Sequence, residues 1–344
     1  MASTFRPSAA RTEIRKVMPQ RRDLLGLGVA GAAVAVAFVI HRRSTAASPL
    51  VISVAVGVLL TNLGLITDQM RPGLTYGAKR LLRVGVVLLG TQLAARNVVD
   101  LGGPGLLVVL VVVVATFFGT QWLGRRLGLS GPMSLLVATG FSICGASAVA
   151  AIEPISGADE EEVTYAIAMV TLCGSLAIVV LPLINRLWLK LDDATFGSWV
   201  GASVHDVAQT VAASSAVSEE ARRAAVIVKL TRVVLLAPLV AGVSVWRRRQ
   251  GVTVASGARP PVLPLFVVGF LAAIALRSTG WMSAPTLKTL KSAEQILLAM
   301  ALVGLGAGVQ WSKLRRVGGR PLVLALASWV FIAALSLGGV ALTH

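Results

Sequence analysis

His205 and Asp206 stand side by side within an apolar stretch long enough to cross a membrane. Two adjacent ionisable groups at such depth are costly to insert, so they must face a cavity or a partner. Ser203, Gln209 and Thr210 lie beside them. If the segment is helical, His205 shares a face with Gln209, and Asp206 with Thr210, by i, i+4 spacing. An imidazole titrates near physiological pH, which makes the His205–Asp206 pair the expected proton-coupling element. Further on, Lys229 and Arg232 share a face at i, i+3. They would neutralise Asp206 or attract an anionic solute. A buried polar network that only locks helices together competes with both readings.

A second polar stretch runs from Thr139 to Pro154, with Ser142 and Cys144 flanked by Gly140 and Gly145 and Ser147 among the alanines that follow. Glycine permits unwinding and close approach of backbone. A helix broken there would turn free N–H groups and the positive end of a half-helix toward an anion. Broken helices of this kind hold solutes near the midplane of many transporters. The competing reading is close helix packing through small residues. A break is expected at Ser142–Gly145. The expected substrate-binding set is Ser142, Cys144, Gly145, Ser147, Ser203, His205, Gln209, Lys229 and Arg232.

The elements that must carry these groups are membrane helices. Of 344 residues, 56% are hydrophobic and 14% charged, with a mean hydropathy of +0.81. Water-soluble domains hold roughly 25% charged residues, so lipid is the expected solvent. Eleven segments have the apolar length of a span: roughly 24–41, 49–65, 76–95, 104–123, 131–153, 163–187, 195–217, 223–246, 262–280, 286–309 and 321–342. Residues 1–23 read as a disordered basic cytoplasmic tail. Residues 24–344 read as one polytopic transporter domain, with residues 24–41 the weakest span. The class is an all-α integral membrane protein.

The net charge of +17 would suit nucleic acid, but the cations gather at the ends of apolar runs and no basic stripe interleaves with aromatics. If all eleven segments cross and the N-terminus is inside, the tail, Arg71, Arg125, Arg126 and the basic loops at 186–193, 247–261 and 311–320 are cytoplasmic. Only Arg42, Arg43, Arg96, Arg222, Arg223 and Arg277 then lie outside, with the acidic run 159–162. That bias agrees with the positive-inside rule. Lys79-Arg80-Leu81-Leu82-Arg83-Val84 in the third span resembles Lys229-Leu230-Thr231-Arg232-Val233-Val234 in the eighth. Five spans apart, they suggest an inverted repeat of five plus five with one added N-terminal helix. A weaker glycine match pairs the third and tenth spans. The two polar stretches also share a Gly-x-Ser-(Ile or Val) start, at Gly140 and Gly201.

Cys144 and Cys173 form no CxxC pair, and with three histidines in the chain a metal cluster is not expected. No cofactor fingerprint or activated nucleophile is legible, so an enzyme is not expected.

Gly-Phe-Ser-Ile-Cys-Gly-Ala-Ser-Ala (140–148), Glu153-Pro154, Val204-His205-Asp206-Val207-Ala208-Gln209 and Lys229-Leu230-Thr231-Arg232 resemble the YeiH-like family of prokaryotic membrane proteins, commonly labelled sulfate exporters. The resemblance runs from about residue 49 to the C-terminus. Asp206 stands where some members carry Glu, which keeps the carboxylate. The resemblance implies a plasma-membrane transporter related in shape to the bile-acid and sodium–proton antiporter folds. Taken with the residues, it points to a secondary transporter of a small anion such as sulfate or a sulfonate, coupled to protons. An anion channel is the alternative, and an intramembrane enzyme using His205–Asp206 a more distant one. The expected partners are the solute and the lipid bilayer, with a homo-oligomer compatible and nucleic acid not.

Overall fold

The computed structural model describes residues 20–43, 48–92, 102–249, 265–310 and 319–343, and every regular element among them is helical. Among the described residues six helices are long and apolar enough to cross a membrane: Arg21–Arg43, Gly102–Arg126, Glu160–Leu189, Glu219–Arg247, Ala284–Ala307 and Gly319–Ala341. The chain divides into two compact units, residues 1–85 with 293–308, and 86–292 with 309–344.

In the first unit, α1 (Leu24–Arg43) follows a single 3₁₀ turn, and α2 (Pro49–Asn62) starts on a Ser48 cap with proline in its first turn. α3 (Arg71–Tyr76) passes through a π-helical turn, Gly77–Leu81, into α4 (Leu82–Gly90), whose last residues belong to the second unit. Glycines bring these backbones together. A Cβ on Gly26 would strike Met70 and Gly73, and one on Gly57 would strike Val303. Arg83 is exposed on this unit.

The second unit carries α5 (Gly102–Arg126), α6 (Gly131–Ser142), α7 (Ala146–Ser156), α8 (Glu160–Ile184), α9 (Asp193–Ser203), α10 (Val207–Ser215), α11 (Glu219–Val234), α12 (Leu236–Arg249), α13 (Leu265–Ser278), the start of α14 (Ala284–Ala307), and the whole of α15 (Gly319–Ala341). Short polar residues set the starts. Ser130, Asp159, Asp192 and Ser218 each accept a backbone N–H at a helix N-terminus. α11 and α12 are separated at Leu235 because Pro238 would clash with the carbonyl of Val234, four residues earlier.

α6 and α7 form a hairpin. The Ser130 hydroxyl at the start of α6 donates to Glu162 in the first turn of α8, so both helices begin at one end of the unit. A Cβ on Gly140 would touch the Val149 side chain, so the two arms lie side by side. α9 and α10 form a second hairpin from the opposite end. Gly197 packs on Ala221 and Gly201 on Ala225, so α9 runs parallel to α11 and begins where α11 begins. α10 returns to that end before Ser218. Thus α5 with its following hairpin, and α8 with its following hairpin, run in opposite directions.

The break expected at Ser142–Gly145 is present, and a second lies at Val204–Asp206. Segments 131–153 and 195–217, however, turn back at these breaks instead of running from end to end, which corrects two of the eleven expected spans. Hydropathy records only that a stretch is apolar for about 20 residues. It cannot tell one traverse from two arms of about 11, a length typical of re-entrant segments. The reversal moves two loops. Residues 186–193 lie at the end where α11 starts, opposite residues 124–130, and the acidic run 159–162 joins the 124–130 end. The five-plus-five register pairs the fifth span with the tenth, yet α14 runs unbroken from Ala284 to Ala307. Gly140-x-Ser142 and Gly201-x-Ser203, which share their start, stand instead at the two opposed tips. Residues 1–19, 250–264 and 311–318, which contain most of the expected tail and two cytoplasmic loops, lie outside the described residues.

Candidate functional site

The two hairpin tips meet inside the second unit, and each break exposes two helix ends. The last carbonyls of a helix have no partner within it, and leaving them unpaired away from water is costly. α11 supplies the partners for both tips. Arg232 donates through Nη2 to Phe141 (2.8 Å) and Ser142 (2.9 Å) at the end of α6. Through Nη1 it donates to Ala202 (2.7 Å), Val204 (2.9 Å) and Gly201 (3.2 Å) at the end of α9. Lys229 donates to Ile143 (2.6 Å) and Val204 (2.9 Å). Both side chains are fully buried. The i, i+3 spacing aims them at one place, and their charge opposes the negative ends of two half-helices.

At the positive ends the tips differ. α10 is capped by Asp206, whose Oδ1 accepts from the Ala208 N–H (2.8 Å), while Gln209 Oε1 accepts from the Asp206 N–H (3.2 Å). This reciprocal box puts the carboxylate where the helix dipole favours it. α7 starts at Gly145 with no side-chain cap. Among the described residues no group accepts from the N–H of Ala146 or Ser147. Gly145 has φ +72° and ψ −138°, a conformation that side chains disfavour, and a Cβ there would lie 3.2 Å from Val170 and 3.5 Å from the Cβ of Asp206. The uncapped start of α7 therefore adjoins the acid that caps α10.

Of the expected binding residues, Ser142 and Cys144 are buried in the first tip, where the Ser142 hydroxyl donates to Thr139 (3.3 Å). Gly145 forms the turn, and Ser147 is exposed beside it. Ser203 is buried and donates back to Trp199 (2.7 Å). His205 is fully buried, and neither ring nitrogen makes a hydrogen bond of ordinary geometry. Its ring lies 4.1 Å from that of Phe141, tilted by 50°. Gln209 donates to the Thr171 carbonyl (3.2 Å) on α8. The structure brings all of these to the two tips, with Lys229 and Arg232 holding backbone carbonyls. Among the described residues neither cation forms an ion pair with Asp206. Phe141, Thr171 and Gly174 escape the sequence reading. Gly174 lets the Gln209 amide lie directly on the α8 backbone, where any Cβ would collide with it. A glycine beside Cys173 in an apolar run was the one signal for this.

Among the described residues no group of three or more His, Cys, Asp or Glu could hold a metal ion.

The model of a family described as conserved hypothetical protein 698 matches residues 24–325, a stretch that contains both hairpins and α11. The chain belongs to this family. Curated relatives, a YeiH protein among them, are similar over most of the chain. A UPF0324 membrane protein of Corynebacterium glutamicum is 40% identical over 319 residues, covering 93% of this chain and 92% of the relative. One from Pseudomonas aeruginosa is 34% identical over 346 residues, covering 96% and 95%. The UPF0324 inner membrane protein YeiH of Salmonella typhi is 33% identical over 295 residues, covering 83% of each.

Proposed function

We propose that the protein is a secondary transporter of a small anion, which binds at the start of α7. The observation that carries this reading is the accounting of the four half-helix ends. Lys229 and Arg232 occupy the two negative ends, Asp206 and Gln209 one positive end, and no side chain the other. An oxyanion such as sulfate or a sulfonate can accept from the N–H groups of Ala146 and Ser147 and from the exposed Ser147 hydroxyl. His205, whose ring nitrogens make no hydrogen bond of ordinary geometry, is the proton-coupling partner, and Asp206 beside Gly145 links proton and anion occupancy. No step of bond-making chemistry is assigned to the site.

In this reading the protein crosses the plasma membrane nine times and carries two re-entrant hairpins. Irregular backbone at membrane depth is tolerated when protein buries it, as at these tips. Arg125, Arg126, Arg247 and Arg320 cluster near the end where α6 begins and mark it as cytoplasmic. The N-terminus is read as cytoplasmic from the basic residues that precede α1. The name of the Salmonella relative, an inner membrane protein, agrees with this location.

The test is ligand stabilisation of purified protein by sulfate, sulfite, sulfonates and carboxylates. A binder present at about ten times its Kd adds roughly 1.4 kcal/mol. Reconstituted protein should then move that anion uphill when a proton gradient is imposed, which a channel cannot do. Absence of stabilisation by every anion class removes the proposal. Retention of the wild-type pH profile of binding in His205→Ala removes the coupling role.

A further inference from the structure

A groove of about 780 Å³ runs along the outside of the second unit between α5 and α12. Leu110, Val114 and Phe118 line it from α5, and Leu239, Gly242 and Val243 from α12. Its character changes along its length. From Leu110 through Phe118 the walls are apolar. Toward the cytoplasmic end come Gln121, Trp122, Trp246 and Arg125. Leu110 to Arg125 spans about 22 Å at 1.5 Å per residue, which is half the thickness of a bilayer with its headgroups. The tryptophans thus lie where interfacial aromatics lie, and Arg125 lies at headgroup level.

We propose that this groove holds one anionic phospholipid of the cytoplasmic leaflet. Its acyl chains fill the apolar length and its phosphate meets Arg125. Arg125 is exposed and forms no ion pair among the described residues. Arg126 adds charge beside it, with its guanidinium held 5.3 Å from the Trp122 ring. Arg247 at the same end is fixed to the Ile155 carbonyl (3.2 Å) and keeps its charge nearby. A basic mouth on an apolar, leaflet-deep channel matches a lipid at both ends. A packed helix from another protein would bury Arg125 and must itself bring an acid to it.

The experiment is native mass spectrometry of the full chain after detergent exchange, followed by titration with phosphatidylglycerol and phosphatidylcholine. The wild type should keep one phospholipid per chain and prefer phosphatidylglycerol by about fivefold. Gly242→Phe fills the groove without backbone conflict, because nothing lies within 4 Å of a Cβ at Gly242. It should lose the retained lipid while keeping the wild-type unfolding temperature. Arg125→Gln should retain lipid with equal affinity for the two headgroups. A wild type that carries no lipid overturns the proposal. So does a headgroup preference unchanged by Arg125→Gln, or a dimer mass abolished by Gly242→Phe, which would make the groove an interface between copies.

Discussion

The Nζ of Lys229 lies 2.9 Å from the carbonyl oxygen of Val204, the residue at which α9 stops. The same ammonium reaches Ile143, where α6 stops, so one side chain ties both hairpin tips together.

Lys229→Met should therefore act on the fold before it acts on any solute. Each buried carbonyl left unpaired costs about 1–3 kcal/mol. Arg232→Met exposes more carbonyls and should cost more. Thermal unfolding in detergent should rank wild type above Lys229→Met above Arg232→Met. An unfolding temperature unchanged in Lys229→Met would mean that the tips hold without it.

Topology gives a second test. Cysteines at Gly128 and Glu161 should be labelled from one side of the membrane, and cysteines at Lys190 and Val217 from the other. Eleven crossings would instead separate 128 from 161 and 190 from 217. In intact cells an impermeant reagent should reach 190 and 217 only. Cys144 and Cys173 are buried and add little background.

Gly145→Ala should separate function from folding. A residue held in a glycine-only conformation costs about 1–3 kcal/mol, and here the added methyl also meets Val170 at 3.2 Å. The start of α7 should shift and anion stabilisation should fall by tenfold or more, with the chain still folded by circular dichroism. Wild-type binding in this variant would show that the start of α7 does not hold the anion.

Asp192 offers a pH test away from the membrane-spanning segments. The Thr195 hydroxyl, and then the Thr195 N–H, hold its carboxyl below the usual range. Because the folded state prefers the charged carboxylate, the contribution is fully present above the unfolded pKa of about 3.9, declines below it, and is lost as pH falls through the lower folded pKa. Asp192→Ala should cost about 1 kcal/mol near neutrality and much less near pH 3. Equal losses at both pH values would contradict the cap.

Most of what lipid demands was legible in the residues. Apolar length marked the helices, and Gly140, Gly145 and the polar runs marked a break at Ser142–Gly145. The cost of burying His205, Asp206, Lys229 and Arg232 marked them as groups with a purpose. These are one-dimensional facts, set by transfer free energies and backbone freedom. Only the tertiary structure decided that residues 131–153 and 195–217 turn back. Direction after a break depends on which distant groups take the freed carbonyls, and those donors lie up to 91 residues away, as in Arg232 to Phe141. For the same reason the cations could be read as anion ligands or as partners of Asp206, yet they hold backbone. Charge is written in the sequence, but the partner it meets is chosen by packing.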